Sequence, residues 1–157
     1  MSEESLKKTF GSIWWRFLEF EITRSRAMSE LTGNLTSALI LQVVAYHNLT
    51  LVQSTLESEA YSEIREAWEL GDQASDSHLP QILSFAAISD ITGIDKETVR
   101  RSAKKLEVQG WLSIDQKTGI RYNPSQINQD KLVGFNEWEV THLGRLRKRL
   151  NDASSAG

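Results

Sequence analysis

The chain has 157 residues, 39% hydrophobic and 25% charged, with 2 Pro and 9 Gly, a composition that supports one sizeable core and excludes collagen-like or low-complexity architecture apart from the ends. It contains no Cys, which excludes disulfides, thiolate zinc sites, iron–sulfur clusters and a cysteine nucleophile. The net charge of −3 hides an asymmetry, because residues 1–79 carry 6 basic and 12 acidic side chains, residues 80–125 carry 7 and 5, and residues 126–157 carry 5 and 4. A locally basic face matters more for phosphate contact than the total, since screening limits an exposed charge to about 8–10 Å.

The opening Met-Ser-Glu-Glu-Ser is acidic where a secretory signal is basic, and Gln42 breaks the most apolar stretch long before the roughly 20 residues of a membrane span. A cytoplasmic protein with no membrane segment is expected, in which the sequons at Asn34 and Asn48 have no glycosylation role.

From Leu6 to about Ala27, the positions Leu6, Phe10, Ile13, Trp14, Phe17, Leu18 and Ile22 repeat at three and four, which predicts an amphipathic helix. Trp15 and Phe20 widen its apolar surface, so it is expected to meet more than one neighbour, a second subunit among them. Thr32-Gly33-Asn34 breaks the chain before a second helix, Leu35 to about Leu49, apolar on most sides and expected to be central. Ser54 to Leu70 reads as a Glu-rich helix closed by Gly71 and followed by a polar loop, Asp72 to His78. Its acidic face would repel DNA phosphate.

Residues 84–123 are more specific. Ser84 can cap a short helix, Phe85 to Thr92, with Phe85, Ile88 and Ile91 on one side and Gly93 able to take φ > 0 at its end. Asp95 can cap the next helix, Lys96 to Gln109, with Val99, Ala103 and Leu106 inward, and Gly110-Trp111 closes it with a hydrophobic contact. On its outer face Lys96, Arg100 and Lys104 form one row and Glu97, Arg101 and Lys105 another. A helix fits the major groove, where Arg100 or Arg101 can meet guanine O6 and N7, while Thr98 and the helix N-terminus can hold a phosphate. Leu112-Ser113-Ile114 and Ile120-Arg121-Tyr122 alternate apolar and polar around a Gly119-containing turn, which predicts a β-hairpin. Lys117 at its tip and Arg121 on its outer side are placed for the DNA backbone or minor groove.

The run from Ile88 to Leu112 contains Gly93-Ile94-Asp95-Lys96-Glu97-Thr98-Val99-Arg100-Arg101 and ends Leu106-Glu107-Val108-Gln109-Gly110-Trp111-Leu112. It resembles the winged helix-turn-helix of bacterial transcription regulators, with their G-hydrophobic-x-x-x-T-V-R-R start and L-E-x-x-G-hydrophobic finish. With helices on both sides, the layout is similar to the multiple-antibiotic-resistance repressor (MarR) family. The wing lacks that family's Asp-x-Arg signature, and the acidic helix stands as an insertion. The resemblance implies a homodimer paired through terminal helices on a palindromic operator, one recognition helix and wing per half-site.

In the tail, Asn136 with Glu139, flanked by Phe135 and Val140, reads as a capping box with a staple, so the last helix is expected to start at Glu137. Trp138, Leu143, Leu146 and Leu150 would face inward. Arg145, Arg147, Lys148 and Arg149 cluster near the C-terminal end, where the helix dipole favours cations, and Ala153 to Gly157 is expected to fray.

The expected fold is mainly α with a small β-wing: an N-terminal helical region over 1–79 for core and dimerisation, a winged helix-turn-helix over 80–125, and a C-terminal helix with its tail over 126–157. Catalysis is not expected. His47, His78 and His142 are scattered without metal-ligand spacing, and the sequence has no glycine-rich phosphate loop or serine elbow. No cofactor is implied, and a small-molecule effector between the Trp-rich helices and the winged region would have no dedicated residue pattern. The functional expectation is a dimeric, sequence-specific regulator of double-stranded DNA that uses Lys96, Thr98, Arg100, Arg101, Lys104, Lys105, Lys117 and Arg121. The alternative is a winged-helix module for protein contact, because architecture does not fix function.

Overall fold

A computed structural model of the chain describes residues 3–55 and 81–155. The part of the expected acidic helix beyond Thr55, the expected loop from Asp72 to His78 and His78 itself lie outside the described residues. Among the described residues the fold is mainly helical with one two-stranded antiparallel sheet, in the order α1 (Glu3–Thr32), α2 (Leu35–Thr55), α3 (Phe85–Thr92), α4 (Lys96–Val108), β1 (Leu112–Asp115), β2 (Gly119–Tyr122) and α5 (Gln126–Ser155). It divides into two compact units, Met1–Ala38 with Ser125–Gly157, and Leu39–Pro124.

In the first unit α1 packs against α5. Phe20, which is buried, stacks on Trp138 at 5.7 Å between centroids, and Arg24 forms a half-buried ion pair with Glu139. α1 outlasts its apolar pattern because Met28 and Thr32 are also buried, with the Thr32 hydroxyl donating to the Met28 carbonyl at 2.8 Å. The helix ends only at Gly33. Asn34 then caps α2 by accepting the Ser37 N–H at 2.8 Å.

The last helix begins at Gln126, not at Glu137 as the sequence suggested. Ser125 already supplies the cap: its hydroxyl accepts the Asn128 N–H at 3.4 Å and its carbonyl the Gln129 N–H at 2.8 Å. Asn136 therefore lies exposed in mid-helix. The inner stripe also differs from the expected one, since Leu143 and Leu150 are exposed. The half-buried or buried positions are Asn128, Leu132, Phe135, Trp138, Glu139, His142 and Leu146. Three of these, Asn128, Glu139 and His142, are polar, which hid the stripe from a search for apolar periodicity. The backbone stays helical to Ser155, beyond the start of the expected frayed end.

In the second unit the core contains Leu83, Ile88, Val99, Ala103, Leu106, Trp111, Leu112 and Ile120, each at most 3% exposed. Burying a large side chain of this kind contributes about 1.5–3 kcal/mol. α2 runs past the expected end at Leu49 to Thr55, and within it Thr50 donates its hydroxyl to the His47 carbonyl at 2.7 Å. It is buried on one side only: Ile40, Leu41, Val44 and His47 are covered, whereas Leu39, Tyr46 and Leu49 are exposed. On α3, Ile88 is buried and Ile91 is exposed, so the expected three-residue apolar side is narrower than its spacing implied.

Candidate nucleic-acid interface

Local chemistry sets the position of α4. The Ser84 hydroxyl accepts the Ala87 N–H at 3.1 Å and starts α3, and Gly93 at φ 71° ends it with its N–H on the Ser89 carbonyl. Two side chains then lock the turn. Ser89 donates its hydroxyl to the Ile94 carbonyl at 2.6 Å, and Thr92 Oγ1 accepts the Ile94 N–H at 3.2 Å. Asp95 starts α4 by accepting the Thr98 N–H at 2.9 Å. Val99, Ala103 and Leu106 face the core with no exposed surface, which leaves the opposite side of α4 to solvent.

The hairpin is anchored to this helix. β1 and β2 pair Leu112 with Tyr122, Ser113 with Arg121, Ile114 with Ile120 and Asp115 with Gly119. Leu112 and Ile120 are buried on the inner side, while Arg121 is exposed. Asp115 Oδ1 collects the N–H groups of Lys117 and Thr118, each at 2.8 Å, and so builds the turn. Two contacts were not foreseen from the sequence. Glu107 Oε1 accepts the Ile114 N–H at 2.8 Å, joining α4 to the wing, and the Ile120 N–H donates to the Leu83 carbonyl at 2.9 Å, adding the segment before α3 beside β2. Glu107 stands in the L-E-x-x-G stretch, but its partner is seven residues away and in a strand.

The eight predicted side chains all belong to this unit. Lys96, Arg101, Lys104 and Lys105 are exposed on α4, and Lys117 and Arg121 are exposed on the wing. Among the described residues none of these six makes an ion pair within 4 Å. Arg100 is held differently: its Nε donates to Glu97 Oε2 at 2.8 Å and its Nη2 to Glu97 Oε1 at 2.6 Å. The pair holds the Glu97 carboxyl below its ordinary value, chiefly through the Arg100 hydrogen bond. Their i, i+3 spacing was the sequence signal for this clamp. Thr98 is half-buried and already engaged, because its hydroxyl and its amide, in that order, hold the Asp95 carboxyl below the ordinary range. Arg101 Nη2 also donates to Thr98 Oγ1 at 3.3 Å. The N-terminal turn of α4 therefore presents a capping carboxylate where the sequence suggested a place for phosphate.

Of the histidines, His47 is buried in α2 and His142 lies on α5, with its Nδ1 2.8 Å from the Trp138 carbonyl. No described helix is long and apolar enough to cross a membrane. No family model matches the chain, nor does any curated protein or solved structure.

Proposed function

We propose that this chain is a non-enzymatic, cytoplasmic, sequence-specific regulator of double-stranded DNA, MarR-like in layout, that works as a homodimer with α4 in the major groove and the hairpin as its wing. The observation that carries this reading is the outer side of α4: Lys96, Arg101, Lys104 and Lys105 stand exposed and, among the described residues, without ion pairs, on a helix held by two caps and tied to a cationic wing. In this reading Arg101 and Arg100 read guanine edges, the lysines of α4 meet phosphates, and Lys117 and Arg121 hold the backbone beside the minor groove. Arg100 must exchange the Glu97 carboxylate for the base edge, so its contact replaces one charge-assisted bond with another and serves discrimination more than affinity. The dimer rests on α1, where Phe10, Trp14 and Phe17 stack in an exposed row at 5.9 and 5.4 Å beside exposed Leu18 and Ile22. A stripe of this extent is characteristic of a partner surface.

The test is selection of bound fragments from a random DNA pool, followed by anisotropy titration at several salt concentrations. Affinity should fall steeply with salt, and Arg100→Glu or Arg101→Glu should abolish binding while the oligomeric state is kept. The Glu97–Arg100 clamp, which removes one cation from the face, favours the second reading, a protein-contact module. Association with DNA that is absent or insensitive to salt would select that alternative.

A further inference from the structure

The basic cluster near the end of α5 is not used by the proposed DNA interface. Within the first unit it borders a groove of about 610 Å³ between α1 and α5, a volume typical of small-molecule sites. Phe20, Trp138 and His142 form its aromatic wall, with rings stacked at 5.7 and 4.2 Å, and Leu146 adds an aliphatic surface. Arg145, Lys148 and Arg149 line the same groove; Arg147, the fourth cation of the cluster, does not. The charge balance of the lining is positive. Arg16 is paired with Glu19 at 3.0 Å, which leaves Arg145, Lys148 and Arg149 against Asp152 alone. None of these three cations makes an ion pair among the described residues. Because the helix continues to Ser155 and has no basic residue in its last turn, the helix dipole, which acts within that turn, does not account for the cluster as the sequence had suggested.

We propose that this groove binds a small amphiphilic anion, its apolar body against Phe20, Trp138 and Leu146 and its carboxylate, sulfonate or phosphate head between Arg145 and Arg149. The site lies inside one unit of the fold and does not depend on the regulatory reading above. It occupies a different flank of α1 from the Phe10–Trp14–Phe17 row, because at 100° per residue Glu19 and Thr23 point away from Trp14.

The test uses anilinonaphthalene sulfonate as the anionic probe and phenylnaphthylamine as its uncharged counterpart, with full-length protein. The anion should bind saturably at one site per chain, and Arg145→Gln combined with Arg149→Gln should weaken it by about tenfold, as expected for loss of charge-assisted contacts. The uncharged probe should be indifferent to the substitutions, and thermal unfolding should be unchanged. Trp138→Phe, which retains an aromatic wall, should keep binding but lose energy transfer from that indole to the bound probe. Equal binding of both probes, or anion binding insensitive to the double substitution, overturns the proposal. So does weakened DNA binding by the double variant with anion binding intact, which would assign the cluster to phosphate contact along a duplex.

Discussion

Two glycines separate local from tertiary constraint at single residues. Gly93 and Gly119 both have positive φ, 71° and 75°, yet a Cβ on Gly93 would meet nothing within 4 Å, whereas one on Gly119 would lie 2.6 Å from the Leu83 carbonyl oxygen. Gly93→Ala should cost about 1 kcal/mol, the left-handed penalty alone, and Gly119→Ala about 3 kcal/mol, because backbone strain and overpacking combine. Urea midpoints of the two variants would measure the difference. Acid sensitivity is also set at this scale. The carboxyls of Asp95, Glu97 and Asp115 all lie below their ordinary values of 3.8, 4.5 and 3.8, held first by the Thr98 hydroxyl, the Arg100 guanidinium and the Thr118 amide respectively. On acidification the unfolded chain takes up these protons before the folded one, so their contribution is complete at neutral pH. It should be lost progressively below about pH 4.5, through the ordinary values and then the lower folded ones. Urea midpoints measured from pH 7 to pH 3 should follow this course, and Asp95→Asn with Asp115→Asn should flatten the acid limb.

The elements differ in how far their limits could be read from the chain. α3, its glycine turn, the start of α4 and the hairpin were legible almost to the residue, because each is closed by hydrogen bonds spanning five residues or fewer, such as Ser84 to Ala87 and Asp115 to Lys117 and Thr118. α5 was not. Its capping motif at Asn136 is real as a sequence pattern, but Ser125 starts the helix earlier, and the stripe that packs it contains Asn128, Glu139 and His142. A continuous α5 places Gly134 and Gly144 in helix interior with nothing within 4 Å of an added Cβ. Gly134→Ala and Gly144→Ala should therefore each stabilise by about 0.5–1 kcal/mol, seen as a higher Tm. No gain at Gly134 would argue for a break before Asn136. The tie between α4 and the wing makes a further prediction: Glu107→Ala should speed hydrogen exchange at the Ile114 amide several-fold, the size of one lost hydrogen bond, while Glu107→Gln, which keeps an acceptor, should largely restore protection.

Charge distribution and exposed apolar surface decide behaviour at the scale of the whole molecule. The net charge of −3 gives no hint of nucleic-acid binding, whereas the exposed side of α4 concentrates cations on one surface. If the proposed interface is correct, Lys104→Gln and Lys117→Gln should each lower the slope of log K against log salt by about 1 per bound protomer, without changing which fragments are selected. A change in selected sequence would move those lysines from phosphate contact to base reading. The aromatic row on α1 predicts that Trp14→Glu with Phe17→Glu yields monomers in light scattering and weakens DNA binding, since two half-sites would no longer be engaged together.

What the amino-acid order settled unaided was the mainly helical composition, the helix-turn-helix and its hairpin, and the side of α4 that carries its charge. Those features depend on caps, turn residues and periodicity that act between near neighbours. Folding in three dimensions decided which apolar residues are covered, as with buried Ile88 and exposed Ile91. It also placed the Leu83 carbonyl against Ile120 and brought Trp138 to Phe20. Each of these outcomes depends on groups far apart in the chain, whose meeting no local pattern encodes.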